Sequence, residues 1–276
     1  MIRYIRPNYF LLLLSLFVVG LNNFQARDLY WIGKTTNWHD GQNWALQSGG
    51  VSLNDVPNET DNVFFDNYSF QSNNQVTISS NSFCKNFYWN TSSFTILTGF
   101  GALNVYGSME IVTNYTNQYF GAIFFKGASQ HTINIEQAQL NSDIYFLGTG
   151  SYTLQGNLAN QIENKIVVES GQFNSNGKII YTGSFISNGN LNRTIDLSTS
   201  RLIIGRSLKF SGVNLNHNVV LANLEYLPSV EESEVDLGDA VFGGLQEKAA
   251  CAGGLNVTAA VTSNYNGSQI SCNGSN

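Results

Sequence analysis

From about residue 75 to 224 the chain is written in short alternating runs, most of them closed by Gly, Ser or Asn. VTISS (Val76–Ser80), FTILTG (Phe94–Gly99), AIFFKG (Ala122–Gly127), DIYFLG (Asp143–Gly148), KIVVES (Lys165–Ser170), KIIYTG (Lys178–Gly183) and RLIIG (Arg201–Gly205) are typical. Runs of this length, rich in β-branched and aromatic residues and punctuated by turn formers, predict half-buried strands. Helical periodicity is nearly absent. Only Glu136–Ser142 and Leu158–Asn164 could form a helical turn. Strands at this spacing suit a sandwich, a barrel or a parallel β-helix. Two features favour the β-helix. QFNSNG (Gln172–Gly177) is echoed by SFISNG (Ser184–Gly189), twelve residues on. The turns are also built from Asn and Gly, which accept the left-handed backbone of tight corners, and Asn side chains can stack in ladders.

Composition excludes several alternatives. With 13 Lys+Arg against 19 Asp+Glu, the chain is not a basic nucleic-acid binder. Its 18 Phe, 13 Tyr and 4 Trp supply too much surface to bury for intrinsic disorder. Three prolines exclude a Pro-rich linker. The three cysteines, Cys84, Cys251 and Cys272, do not make a disulfide scaffold. No CxxC occurs and His39, His131 and His217 are scattered, so zinc has no support.

The N-terminus reads as an export signal, residues 1–26. Arg3 and Arg6 precede the apolar run Phe10–Val19, which is too short to span a bilayer. Cleavage is expected at Ala26; because Phe24 fits the −3 position poorly, cleavage at Gly20 or a retained lipid-free anchor stays open. The mature chain keeps 11 basic and 19 acidic residues, a net charge of −8, and no later segment is apolar enough to cross a membrane. Residues 27–70 are expected to form a Trp-rich cap, 71–224 the solenoid, 225–250 an acidic, strand-poor linker or C-terminal edge around Pro228, and 251–276 the start of a further unit. Leu255–Thr262 alternates like a strand, and a unit that short predicts that the sequence is a fragment.

Candidate sites are few. Trp31, Trp38 and Trp44 suit either a sugar-stacking platform or the core of a cap that seals the first coil. Asp61 and Asp66, with Asn62 and Asn67, could hold calcium, although alternating Val63 and Phe65 favour a plain strand; no other cofactor is expected. Between residues 70 and 224 the only carboxylates are Glu110, Glu136, Asp143, Glu163, Glu169 and Asp196, and Arg193, Arg201, Arg206 and Lys209 are the candidate bases. They are too dispersed for the paired acids of a glycosidase or the calcium-binding acids of a lyase, so no catalytic residue is assigned. Cys251 and Cys272 could pair in an oxidising compartment, or Cys272 could pair beyond residue 276; Cys84 reads as a small buried residue. Eight N-x-S/T sequons, such as those at Asn58, Asn114 and Asn266, read as turn residues in so Asn-rich a chain.

Two segments resemble a known family. YWIGKTTNWHDGQNWALQSGG (Tyr30–Gly50), VPNETDNVFFDNYSF (Val56–Phe70) and FCKNFYWN (Phe83–Asn90) resemble the N-terminal module of large secreted proteins of Bacteroidetes. Gly171–Lys178 and Arg193–Ile204 resemble the β-helical repeats that follow it, and Leu255–Asn276, with its VTSNYNGSQISCNGSN, resembles the opening of a SprB repeat of gliding-motility adhesins. The resemblance implies an all-β chain: a right-handed parallel β-helix (solenoid) with an N-terminal cap, then the start of an Ig-like β-sandwich repeat. It also implies a non-enzymatic adhesin segment on the cell surface, outside the outer membrane. Its partners would be surface polysaccharides or other cell-surface components, and its role attachment or gliding. No catalytic residues carry over, and no sorting domain for type IX secretion is present in the sequence. A secreted polysaccharide-binding protein or polysaccharide lyase on the same scaffold is the alternative expectation.

Overall fold

The computed structural model describes residues 26–210 apart from 114 and 136–137, together with the backbone of 215–218, 223–226, 233–238 and 255–259. The chain is an all-β parallel solenoid of about seven turns. Each coil contributes short strands to three faces. Face A runs through Asp28–Trp31, Asn62–Phe65, Phe87–Trp89, Met109–Ile111, Gln130–Asn134, Ser151–Leu154, Gly171–Asn174, Arg193–Asp196 and Leu215–Asn218. Face C runs from Ser82–Cys84 through Leu103–Val105, Ile123–Phe125, Ile144–Phe146 and Lys165–Val168 into later coils. Face B begins with Gln75–Ile78, Ile96–Gly99 and Thr116–Tyr119, and is resumed by Gln139–Leu140 and Leu158–Asn160. Asn117 spans that interruption by donating its side-chain N–H to the Gln139 carbonyl, at 2.8 Å.

The register shows why the alternating runs stack. Val63 sits opposite Phe87 and Phe87 opposite Met109, 24 and 22 residues later. On face C, Ile123 sits opposite Ile144 and Ile144 opposite Ile166, steps of 21 and 22. Because each coil returns with the same parity, inward positions stay inward. One core therefore runs the length of the solenoid, from Leu29 and Val63 at one end to Leu208 and Phe210 at the other. Parallel pairing with the neighbouring coil also satisfies the backbone groups that these short strands would otherwise leave open.

The twelve-residue echo in the sequence is not this period. Gln172 pairs with Thr194 on face A, whereas Ser184 pairs with Lys165 on face C. The echo therefore joins two sides of one coil and not two coils. The turn inside it does use the left-handed backbone, at Asn176 (φ 51) and Gly177 (φ 71). Corners have a second device. Ile179–Ser187 and Arg201–Phe210 each pass from face B to face C as one continuous strand, with a register shift between Thr182 and Ser184. Gly183 occupies that bend, where a Cβ would collide with the Ile162 carbonyl of the coil below.

Four expectations differ from the structure. The two stretches read as possible helical turns hold strands, Gln139–Leu140 and Leu158–Asn160; the second pairs with Ile180 and Tyr181 of the next coil, a contact that local periodicity cannot reveal. Parallel pairing also begins before residue 71, since Asp28–Trp31 and Asn62–Phe65 are already strands of face A. It continues beyond residue 224 as well. Asn223–Tyr226 pairs with Arg201–Ile204, and Ser233–Gly238, inside the stretch expected to be a strand-poor linker, pairs with Ser207–Lys209. There the acidic residues of SEVDLG hide the alternation beneath their charge. Leu255–Ala259, where the sequence predicts the opening of a β-sandwich repeat, adds in parallel to Ser233–Gly238. The export signal through residue 25, most of 239–276, and Cys251 and Cys272 with their disulfide lie outside the described residues.

Candidate ligand-binding surface

The three cap tryptophans come together, but inside. Trp31, Trp38 and Trp44 are at most 1% exposed. Trp44 meets Trp31 at 5.1 Å and 78° and Trp38 at 4.9 Å and 70°, edge against face, and packs on Phe65 at 5.8 Å. Trp44 Nε1 donates to the Trp38 carbonyl at 2.8 Å, which fixes the indole. A sugar needs an open ring face, and none of these rings offers one.

The loop that holds these rings is fastened at both sides. Trp44–Ala45 pairs antiparallel with Tyr30 and Trp31, so the outer edge of face A ends in a strand of opposite direction. His39, which sequence reasoning left unassigned, reaches Ser80 Oγ at 3.2 Å and the Asn81 carbonyl at 3.1 Å and ties the loop to a corner of the first coil. Asp61 and Asp66 do not share a site. Buried Asp61 binds Arg27 and the Asn58 amide. Asp66 accepts from the Tyr68 amide and from Ser69 Oγ in a turn. Arg193, a candidate base by sequence, points inward to Ser187 Oγ at 2.6 Å and the Leu191 carbonyl at 3.1 Å. Glu110 and Asp196 belong to face A, while Asp143 and Glu169 flank strands of face C. Cys84 is fully buried, and burial pushes its thiol pKa up, away from the reactive thiolate.

What lies outside is a different set of aromatics. On face A, Tyr30, Phe64 and Tyr88 occupy one outward register position in successive coils and stack at 4.8 and 4.9 Å. Beside them runs a polar ladder. Asn62 donates to Asp28 at 2.7 Å, Asn86 donates to Asn62 at 2.7 Å, and Asn86 Oδ1 accepts the Ser108 amide at 2.7 Å. Partial burial and the charges of Asp28 and Asp66 push the Tyr30 phenol up; Tyr88 is raised by burial, Glu110 and Asp28. This row is aromatic and acidic.

Face C presents the opposite chemistry. Phe124 and Tyr145 stack at 5.0 Å on its outer surface. Lys126 Nζ lies 5.3 Å from the Phe124 ring centre and Lys165 Nζ 5.4 Å from that of Tyr145. Lys165 also meets Asp143 at 3.7 Å, and the Tyr145 hydroxyl and that carboxylate hold its ammonium pKa above the usual value. The strip continues over Val167, which sits on the outer face and is nevertheless only 6% exposed. A third feature is the corner pair Phe100 and Phe120, stacked at 5.6 Å and 81% and 53% exposed.

These outward rings were missed by sequence reasoning because alternate positions of a strand look alike until the inward set is known. The signal available was the spacing of Phe124 and Tyr145, which matches one coil. Stacked rings cover each other's faces, so a ligand along either row meets ring edges and the flanking polar groups. No known protein family, curated protein or solved structure matches this chain.

Proposed function

We propose that this chain is a non-enzymatic segment of a cell-surface adhesin, the N-terminal end of a long repeat-containing protein used in surface attachment or gliding. Its partners are acidic surface polysaccharides, held by many weak contacts along the solenoid. The supporting observation is the outer strip of face C, where the Phe124–Tyr145 stack is flanked by the ammonium groups of Lys126 and Lys165. Coils repeat at the strand spacing, about 4.8 Å. A polymer lying along the axis meets a ring and an ammonium on two successive coils, Phe124 with Lys126 and Tyr145 with Lys165, and weak sites add through effective concentration. The resemblance of Tyr30–Gly50 and Val261–Asn276 to adhesin segments supports the same reading.

The test is binding of the protein, free and displayed in many copies on beads, to acidic and neutral polysaccharides and to intact cells. The reading requires tight retention of the beads on acidic polymers, weakened by salt, with little binding by the free protein. Beads that pass over every polymer and every cell surface would leave the solenoid as a spacer.

A further inference from the structure

We infer that hydrolysis of the Ala26–Arg27 bond creates a buried ion pair that locks the capped end: the new α-ammonium of Arg27 against the carboxylate of Asp61. This rests on the export reading, because a signal peptidase supplies the cleavage. Water adds across the peptide bond, leaving a carboxylate on Ala26 and a protonated amine on Arg27.

The receiving site is already formed. Asp61 is fully buried and its oxygens take four donors. Three come from Arg27: the backbone nitrogen at 3.2 Å and Nε at 2.9 Å on Oδ1, and a terminal guanidinium nitrogen at 2.7 Å on Oδ2. The fourth is the Asn58 amide, 3.0 Å from Oδ2. The Arg27 carbonyl is fixed as well, accepting the Asn62 amide at 2.8 Å. The nitrogen that cleavage would charge therefore already sits at the buried carboxylate. Ala26, on the other side of the bond, is exposed.

The charge count points the same way. The Arg27 guanidinium is shared between Asp61 and Asp55, each at 2.7 Å, so two carboxylates face one cation. An amide at position 27 leaves that cluster one negative charge in excess. An α-ammonium cancels it at the atom closest to the buried oxygen, where a charge-assisted hydrogen bond is stronger than a neutral one. The other charged side chains on the segments packed around this point are Asp28, Glu59 and Lys85. Carboxylates, lysine and arginine ordinarily titrate far from neutrality, whereas an α-amine does so near 8. The partner raises that amine's pKa in the folded state. The added stability is thus full below the unfolded pKa and disappears as pH rises through the folded one.

The experiment compares residues 27–276 made with a free Arg27 amine, the same chain acetylated at that amine, and a chain that retains Ala26. At pH 6 the free-amine form should melt at least about 2–4 °C above the other two, the shift expected for a single ionic contact in a chain of this size. The gap should close at alkaline pH, and the Arg27 amine should resist labelling by an amine-reactive reagent in the folded protein. Equal melting temperatures together with a freely labelled amine would overturn the lock. Asp61→Asn should erase the difference between the forms; should that variant not fold, the acetylated comparison decides alone. N-terminal sequencing of protein exported from its own cells tests the biological half separately. Arg27 as the first residue supports it, and cleavage at Gly20 overturns it whatever the melting experiment shows.

Discussion

The capped end and the middle coils bury aromatic rings by different geometries. At the cap, Trp44 meets Trp31, Trp38 and Phe65 edge to face, with ring planes 70–78° apart. In the middle, Phe125 and Phe146 lie one coil apart, 5.0 Å between centres and only 10° from parallel. Where a ring has a like neighbour at the same register position in the next coil, as Phe125 has Phe146, that translation imposes parallel stacking. At the capped end no further coil precedes Asp28 among the described residues. The exposed side of the core must be closed by residues that arrive from a loop at other angles, and edge-to-face packing of large indoles fills that space. Repetition thus sets the Phe125–Phe146 stack, whereas shape complementarity sets the packing around Trp44.

That contrast can be broken by experiment. Trp44→Leu should cost about 3 kcal/mol, since it empties a site that the loop cannot refill, whereas Phe146→Leu should cost about 1–2 kcal/mol because its neighbours can close in. Chemical denaturation of the two variants measures both, and a larger loss at Phe146 would reverse the comparison. Asn86→Ala removes one link of the polar ladder on face A and leaves the Ser108 amide without its acceptor, an expected loss of about 1–2 kcal/mol. Hydrogen exchange should then quicken at Ser108 before it does on face C. Lys126→Ala with Lys165→Ala should change stability by less than about 0.5 kcal/mol while abolishing retention on acidic polysaccharide beads. Retained binding would move the contact surface to another face. The smallest effect is acid sensitivity at Asp55. The guanidinium of Arg27 holds this carboxylate's pKa below the usual range, so its pairing contributes above the ordinary value and is lost as pH falls through the depressed one. Asp55 is half exposed, so wild type should exceed Asp55→Asn by no more than about 0.5 kcal/mol near neutrality and by nothing in strong acid.

The fold was legible where local pattern determines it. Runs such as KIVVES and AIFFKG announce strands, and the Asn–Gly turns do adopt the left-handed backbone at Asn176 and Gly177. The coil length was not legible. Its landmarks are corners, and a corner such as Gly183 is defined by the Ile162 carbonyl from another coil, which has no trace in the nearby sequence. The cap rings were visible as Trp31, Trp38 and Trp44, but whether indoles face core or solvent depends on how the loop closes. The Arg27–Asp61 contact spans 34 residues and was invisible for the same reason. Asp61 looked like an ion ligand because a buried carboxylate and a calcium ligand are the same residue in a sequence.

The register has one more consequence, for how such a chain finds its structure. Beyond the first step from Tyr30 to Phe64, each coil is templated by a partner about one coil earlier, as Ile144 is by Ile123 and Ile166 by Ile144. Sequence separation between contacting strands does not grow as coils are added. Search time that rises with the distance between partners is therefore bounded by a single coil, and assembly can proceed as a zipper from whichever coil closes first. A solenoid twice as long would face the same entropic step at every coil, repeated more often.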